Sequence, residues 1–149
     1  MNADQFEQFL RAQLPIAWIA GVRLQHYSSD EASTYVVFDA LNQNPFGSMF
    51  WAVEGMAAEF AGGILLMNKI AQSQHSIASL VIKNEGTFVK KALGKIVFTC
   101  QQGQAIEQLL QTAIQSGEAA RIVLESRGTD ETGDEVARFA FTWSVKRRD

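Results

Sequence analysis

The longest apolar run in the chain covers residues 44–68. Its only two charged residues are Glu54 and Glu59. Pro45 disfavours helical backbone at the residue before it, whereas Ser48 is a favourable N-cap residue. Apart from its glycines, the sequence after Ser48 is compatible with helix throughout. The run therefore predicts one long central helix, too apolar to have a solvated side, with Ser48 at its start.

Alternation of apolar and polar residues predicts strands, most clearly over residues 135–146. Five side chains there share one face: Ala137, Phe139, Phe141, Trp143 and Val145. Five further strands are predicted at residues 21–28, 32–39, 76–90, 94–101 and 120–127. The polar segment TDETGD at 129–134 predicts a hairpin turn. Such alternation is typical of an antiparallel sheet with one covered face.

Two shorter helices complete the pattern. Residues 4–14 place apolar side chains on one stripe, which predicts an amphipathic helix within an N-terminal segment at 1–18. Residues 104–115 show the same spacing and end near Gly117, between the fourth and fifth strands. We therefore predict one α+β domain over residues 1–149, in which a curved antiparallel sheet of about six strands wraps around the central helix.

Composition narrows the class of protein. The chain has 149 residues, 47% of them hydrophobic, and a net charge of -3, which is typical of a single soluble domain. The negative charge and the short basic tail at 146–148 argue against nucleic-acid binding. Two acids inside the apolar run argue against a membrane span. The acidic, amphipathic N-terminus is unlike a signal peptide, and Cys100 has no partner for a disulfide, so we expect a cytoplasmic protein.

The two glutamates of the central run need an explanation, because removing a carboxylate from water costs several kcal/mol, about the worth of a few hydrogen bonds. On a helix, Gly55 lies four residues before Glu59, and Gly62 and Gly63 lie three and four residues after it. This face lacks bulk, which favours close approach by a ligand or a backbone. Glu54 lies about 140° away around the helix, so we expect a different role for it. The alternative is a core helix whose glutamates reach solvent or pair with lysines.

The chain resembles the hot-dog acyl-CoA thioesterases, such as those of the phenylacetate-pathway type. Many of these open their helix with Asn, then Gly, then His-Gly-Gly, and carry an acid nine residues after the histidine. Asn44, Gly47 and Glu59 match that asparagine, glycine and acid. The family's His-Gly-Gly is replaced here by Phe-Trp-Ala at 50–52, so its histidine is missing. The segment at 88–100 resembles the strand-turn-strand that follows the helix in this family.

The resemblance implies a thioester hydrolase without a cofactor or metal, acting on an acyl group carried by coenzyme A or acyl carrier protein. Glu59 would be the general base or nucleophile, Asn44 would orient water or substrate, and amides near Gly47 and Ser48 would polarise the carbonyl. The acyl or aryl chain and the coenzyme A phosphates would contact a further set of side chains: Phe46, Met49, Phe50, Trp51, Lys90 and Lys91. The site would lie between subunits of a homodimer or homotetramer.

Two other functions fit the sequence. A hot-dog protein without the helix-start histidine could bind acyl-CoA without turning it over. A hot-dog hydratase or dehydratase using Glu54 is less well supported, because the preceding loop contains no histidine. The two histidines of the chain, His26 and His75, lack a second ligand at metal-binding spacing. Lys90 and Lys91 could be solvated residues of a strand edge instead of phosphate-binding residues.

Overall fold

All six strands pair into one antiparallel sheet in the computed structural model, which describes residues 1–149. In chain order the strands are β1 (Arg23–Tyr27), β2 (Ala32–Val37), β3 (Ile77–Phe88), β4 (Lys95–Cys100), β5 (Ala120–Thr129) and β6 (Glu135–Arg147). Their order across the sheet is β1-β2-β4-β5-β6-β3. Each predicted strand is confirmed, with differences of a few residues at the ends.

The inner face of β6 shows why the alternation was informative. Ala137, Phe139, Phe141 and Val145 are buried, and Trp143 is half-buried, as the pattern predicted. The Phe139 and Phe141 rings stack with their centroids 5.9 Å apart. This face and the inner faces of β2, β4 and β5 pack against the central helix, so one core lies between the sheet and that helix.

The central helix, α3 (Trp51–Ser73), approaches the sheet closely because it carries small residues on the side that faces it. A Cβ built on Gly62 would lie 3.0 Å from the Leu124 side chain. Two strand hydroxyls donate hydrogen bonds to carbonyl oxygens inside the helix: Thr34 Oγ1 to Ala57 at 2.5 Å and Ser126 Oγ to Ala58 at 2.6 Å. These contacts fix the rotation of α3 about its axis, and therefore the directions of Glu54 and Glu59.

The expected start of α3 at Ser48 is wrong. The N-cap is Phe50, whose extended backbone (φ -63°, ψ 129°) precedes the first helical residue, Trp51. The loop before it turns at Gly47, which has a φ of 80°. It is held away from helical geometry by backbone hydrogen bonds from Met49 N–H to Ala92 O at 3.0 Å and from Phe50 N–H to Asn42 O at 2.8 Å. The helix also runs past residue 68 and ends at Ser73.

The other helices cover the ends of the core. The predicted N-terminal helix is two helices, α1 (Ala3–Gln13) and α2 (Pro15–Ile19), because a proline in the interior of a helix would lose a hydrogen bond and clash, whereas at the first position it is tolerated. Phe6 of α1 packs edge-on against Phe60 of α3, with ring centroids 5.7 Å apart. Helix α4 (Gly103–Ser116) ends at Gly117 in the left-handed conformation, as predicted.

The two edges of the sheet differ. β1 has five residues, its pairing with β2 is irregular between Leu24 and His26, and α1 packs against it. β3 has twelve residues, and its only pairing is with β6, so the whole of its other side is free. The Leu80 side chain on β3 is 64% exposed. A long apolar edge of this kind is a surface for pairing with another chain.

None of the helices is both long enough and apolar enough to span a membrane.

Candidate functional site

A pocket of about 500 Å³ lies at the start of α3, between the loop that precedes the helix and the connection from β3 to β4. Eight of the ten site residues predicted from the sequence line it: Asn44, Phe46, Ser48, Met49, Phe50, Trp51, Lys90 and Lys91. Gly47 and Glu59 do not. Five other residues line the pocket: Pro45, Glu54, Phe88, Val89 and Ala92. Of these, only Glu54 was considered from the sequence, as the acid of the hydratase alternative.

Aromatic side chains at the pocket are unusually accessible. Phe46 is 79% exposed and Trp51 is 55% exposed, and the rings of Phe50 and Trp51 meet edge-on with centroids 5.8 Å apart. A contiguous exposed apolar patch of this kind is typical of a binding surface. The walls therefore suit an apolar portion of a ligand, and the predicted contact of these residues with an acyl or aryl chain stays a prediction.

Asn44 organises the loop that forms one wall. Its Nδ2 donates to Ser48 Oγ and to Met49 O, both at 3.1 Å. Its Oδ1 accepts from the N–H groups of Phe46 at 2.8 Å and Ser48 at 3.2 Å. The side-chain amide thereby uses both donor hydrogens and both acceptor positions within the loop. These contacts support a loop-shaping role, and the predicted role in orienting water or substrate stays a prediction.

The free backbone donors lie later in the chain than expected. The N–H groups of Gly47 and Ser48 both donate to Asn44, to its backbone oxygen at 3.2 Å and to its Oδ1 at 3.2 Å. The N–H groups of Trp51 and Ala52, the first two residues of α3, donate to no acceptor in the chain. Helix starts leave such donors free, and the helix dipole makes their surroundings favourable for negative charge.

Glu54 lies on the first turns of α3 and lines the pocket. Its side chain is only 4% exposed, and its Oε1 is buried without a hydrogen-bond partner. Burial raises the pKa of Glu54 to about 7, because the apolar surroundings disfavour the charged form. Glu54 therefore titrates near neutral pH in the folded protein.

Replacing Glu54 with glutamine should change how stability depends on pH. Between about pH 4.5 and pH 7 the folded protein keeps the Glu54 proton and the unfolded chain loses it, because burial raises the folded-state pKa. The free energy of unfolding of the wild type therefore falls as pH rises through this window, by about 3 kcal/mol. Glu54→Gln lacks this loss, so its stability relative to wild type should rise by about 3 kcal/mol between pH 4 and pH 8.

Urea unfolding of both proteins at pH 4, 6 and 8 measures this difference, and Glu59 contributes equally to the two curves. If the free energies of unfolding of the two proteins changed with pH in the same way, that result would contradict the burial of an ionisable, unpaired Glu54.

Glu59 lies on a different side of α3, on a stripe that also contains Gly55 and Gly63. A Cβ built on Gly55 would lie 3.5 Å from the Phe139 ring, and one built on Gly63 would lie 3.7 Å from Trp143. This stripe therefore faces β6, the neighbour of the free edge strand. Glu59 is half-buried, and burial alone raises its pKa, with no hydrogen bond or cation opposing that effect. In a single chain, Glu59 is separate from the pocket.

The two lysines differ in their contacts. Lys90 Nζ contacts Asp130 Oδ2 at 2.6 Å and Asp134 Oδ2 at 2.8 Å, and these acids raise the pKa of Lys90. Lys91 Nζ donates to Phe46 O at 3.0 Å and has no carboxylate partner. The charge of Lys90 is already compensated by the two aspartates. Lys91 is therefore the lysine at this pocket whose ammonium group could pair with a phosphate.

The other reactive side chains lie elsewhere. His26 is exposed on β1, and His75 Nδ1 lies 3.2 Å from Asp149 Oδ2 after the end of α3. No histidine is among the pocket residues. Cys100 is buried, as predicted, and burial raises the pKa of its thiol to about 11, which makes it a poor nucleophile.

Known proteins are similar to this chain in sequence family and in fold. A model of the family described as "Domain of unknown function (DUF4442)" matches residues 2–145. A Pseudomonas aeruginosa protein of unknown function, described as a "Probable Thioesterase", is similar with a TM-score of 0.80 and 22% identity, over 99% of this chain and 97% of that one.

Two further solved structures share the architecture. A protein with unknown function from Chlorobaculum tepidum gives a TM-score of 0.82 at 17% identity, over 97% of this chain and 94% of that one. A thioesterase from Haemophilus influenzae gives 0.72 at 13% identity, over 99% and 92%. No curated protein matches the sequence. These similarities confirm the predicted architecture over nearly the whole length of the chain.

Proposed function

The chain belongs to the DUF4442 family and has the hot-dog fold, and from that premise we propose that it is a thioesterase that hydrolyses an acyl thioester of coenzyme A or acyl carrier protein. The observation that carries the proposal is Glu59. It is an unpaired, half-buried carboxyl group with a raised pKa, on a helix stripe whose neighbouring positions are glycines. Its match to the acid of the hot-dog thioesterases and the solved structures with thioesterase names add support.

The chemistry assigned to Glu59 is that of a general base. A carboxylate whose pKa is raised accepts a proton from water more readily than an exposed glutamate. The hydroxide that forms adds to the thioester carbonyl carbon, the carbonyl oxygen becomes negative, and the C–S bond then breaks. The thiolate leaves as a thiol when it takes up the proton. No histidine lies at the pocket. Glu59 of a second copy of the chain would hold that proton, because Glu59 is separate from the pocket of its own chain.

The free N–H groups of Trp51 and Ala52 are the donors suited to the negative oxygen. They lie at the start of α3, next to the pocket, where the helix dipole favours an anion. They replace Gly47 and Ser48 in that role, since the N–H groups of those two residues already donate to Asn44. Asn44 supports the site by holding the loop in its observed shape.

Substrate binding is assigned to the pocket. The exposed aromatic side chains of Phe46, Phe50 and Trp51 suit the acyl or aryl chain, and about 500 Å³ is within the range of small-molecule pockets. Lys91 is placed to bind a phosphate of coenzyme A or of the acyl carrier protein prosthetic group.

The proposed site is completed by a second copy of the chain. The free edge of β3 and its exposed apolar side chains favour antiparallel pairing with the same strand of another copy. Such pairing covers the side of α3 that carries Glu59, because that side faces β6 next to β3. Analytical ultracentrifugation should give twice the chain mass of 16.5 kDa, or four times if dimers pair. A monomer at micromolar concentration would contradict this assembly.

A thiol-release assay on purified protein tests the activity, with short, long and aromatic acyl-CoA substrates. We expect release from at least one class of substrate. No release, together with acyl-CoA binding by calorimetry, would instead support a binding protein without turnover. A hydratase using Glu54 is not favoured, since the pocket contains no histidine to pair with that acid.

A further inference from the structure

Glu54 is the one carboxyl group at the pocket, and nothing in the chain uses its hydrogen-bonding capacity. Glu54 is only 4% exposed, and its Oε1 has no hydrogen-bond partner. Buried polar groups in proteins are nearly always paired, because an unpaired one costs stability. An unpaired, buried carboxyl group that lines a pocket is therefore available to hydrogen-bond a ligand.

The other polar side chains of the pocket are already engaged. The Asn44 amide makes four hydrogen bonds within its loop, and Ser48 Oγ accepts one of them. Lys90 is paired with two aspartates, and Lys91 donates to a backbone oxygen at the rim. The uncompensated charge of Lys91 at the rim disfavours a cationic ligand beside Glu54, so a neutral hydrogen-bonding group is the partner that fits best.

Glu54 lies close along the helix to the N–H groups that are assigned to the reacting carbonyl oxygen. Glu54 follows Trp51 by three residues, which is about 4.5 Å along the helix axis. Helical side chains point back toward the N-terminus. Glu54 lines the same pocket as Trp51, whose N–H group is free. If those N–H groups bind the thioester carbonyl, the substrate atoms near Glu54 are those only a few bonds from that carbonyl.

We propose that Glu54 recognises a hydroxyl group close to the thioester carbonyl, and that the preferred substrates are therefore hydroxyacyl thioesters. This inference rests on the proposed thioesterase function and names its substrate class. A hydroxyl can donate to a carboxylate and can also accept from a carboxylic acid, so it pairs with Glu54 in either protonation state. An unsubstituted acyl chain would leave Glu54 unpaired, as it is in the free protein, and would bind without the gain of this hydrogen bond.

The test compares two substrates of equal length, hexanoyl-CoA and 3-hydroxyhexanoyl-CoA. We expect kcat/KM to be roughly tenfold higher for the hydroxy compound, the worth of one hydrogen bond to a buried group. Glu54→Leu should bring the ratio of the two values to about one, whereas Glu54→Gln should keep most of the preference because its amide both donates and accepts. Glu118→Leu, at an exposed acid in the turn after α4, is the matched control and should keep the wild-type ratio.

Calorimetry with both compounds distinguishes a failure of recognition by Glu54 from a failure of the thioesterase function. The Glu59→Gln variant is used for these measurements so that hydrolysis is slow. Release of thiol with equal kcat/KM for the two substrates would overturn the role of Glu54 and leave the thioesterase function standing. Without release from either substrate or from the long and aromatic acyl-CoA substrates, the thioesterase function fails. Tighter binding of the hydroxy compound that is lost in Glu54→Leu would then still support recognition by Glu54, and equal binding would overturn it.

Discussion

Replacing Glu59 with glutamine should lower kcat/KM for thioester hydrolysis by at least about a hundredfold. Glutamine keeps the size and the hydrogen-bonding atoms of the side chain but cannot accept a proton from water, and general base catalysis is worth two to four orders of magnitude. Glu59 has no hydrogen bond or ion pair in the chain, so the substitution breaks no structural contact. A thiol-release assay on wild type and variant at matched concentration measures the effect.

The control for this experiment is the other acid of the helix. Glu54→Gln should lower the rate much less than Glu59→Gln, because Glu54 is assigned to binding and the amide retains hydrogen bonding. Thermal unfolding of both variants shows whether either change in rate comes from loss of folded protein. Equal losses of activity in the two variants would contradict the division of roles between Glu54 and Glu59.

The sheet could be predicted because its physical cause is local. Each strand has one face against the core, so burial alternates along the sequence and the pattern can be read without knowing the partner strands. β6 shows this directly, since four of its five predicted inward residues are buried. The central helix was predictable for a related reason: a segment apolar on all sides must lie inside the fold.

The ends of the helices depended on contacts that are distant in sequence. Ser48 has the right residue type for an N-cap, but the loop around it is held by hydrogen bonds to Asn42 and Ala92, and the helix begins only after them. Pro15 was a local signal that could have been used, because proline is typical of the first position of a helix.

The candidate site was predictable where it follows from sequence spacing and less so where it follows from packing. The apolar loop residues line a pocket, and their predicted contact with a substrate stays a prediction. Glu54 is buried at a pocket that is also lined by the connection between β3 and β4, a distant part of the chain, so its surroundings could not be seen from local sequence. The pairing of Lys90 depends on two aspartates of the hairpin between β5 and β6, so no local pattern could have shown it.

Replacing Trp51 with proline should lower kcat by about a hundredfold relative to Trp51→Ala, because it removes the free N–H assigned to the negative oxygen. Loss of one such donor typically costs two to three orders of magnitude. Both variants lack the indole ring, so their difference isolates the N–H group. Thiol release from the same acyl-CoA measures kcat for each.

Trp51 is the position where this exchange strains the backbone least. Proline is well tolerated as the first residue of a helix, where the N–H has no helical partner. It also requires an extended residue before it, and Phe50 already has a φ of -63° and a ψ of 129°. The two variants should therefore differ by less than about 1 kcal/mol in free energy of unfolding. If they are equally stable and equally active, the Trp51 N–H does not contact the reacting oxygen, and the donor must be sought at Ala52 or on the second subunit.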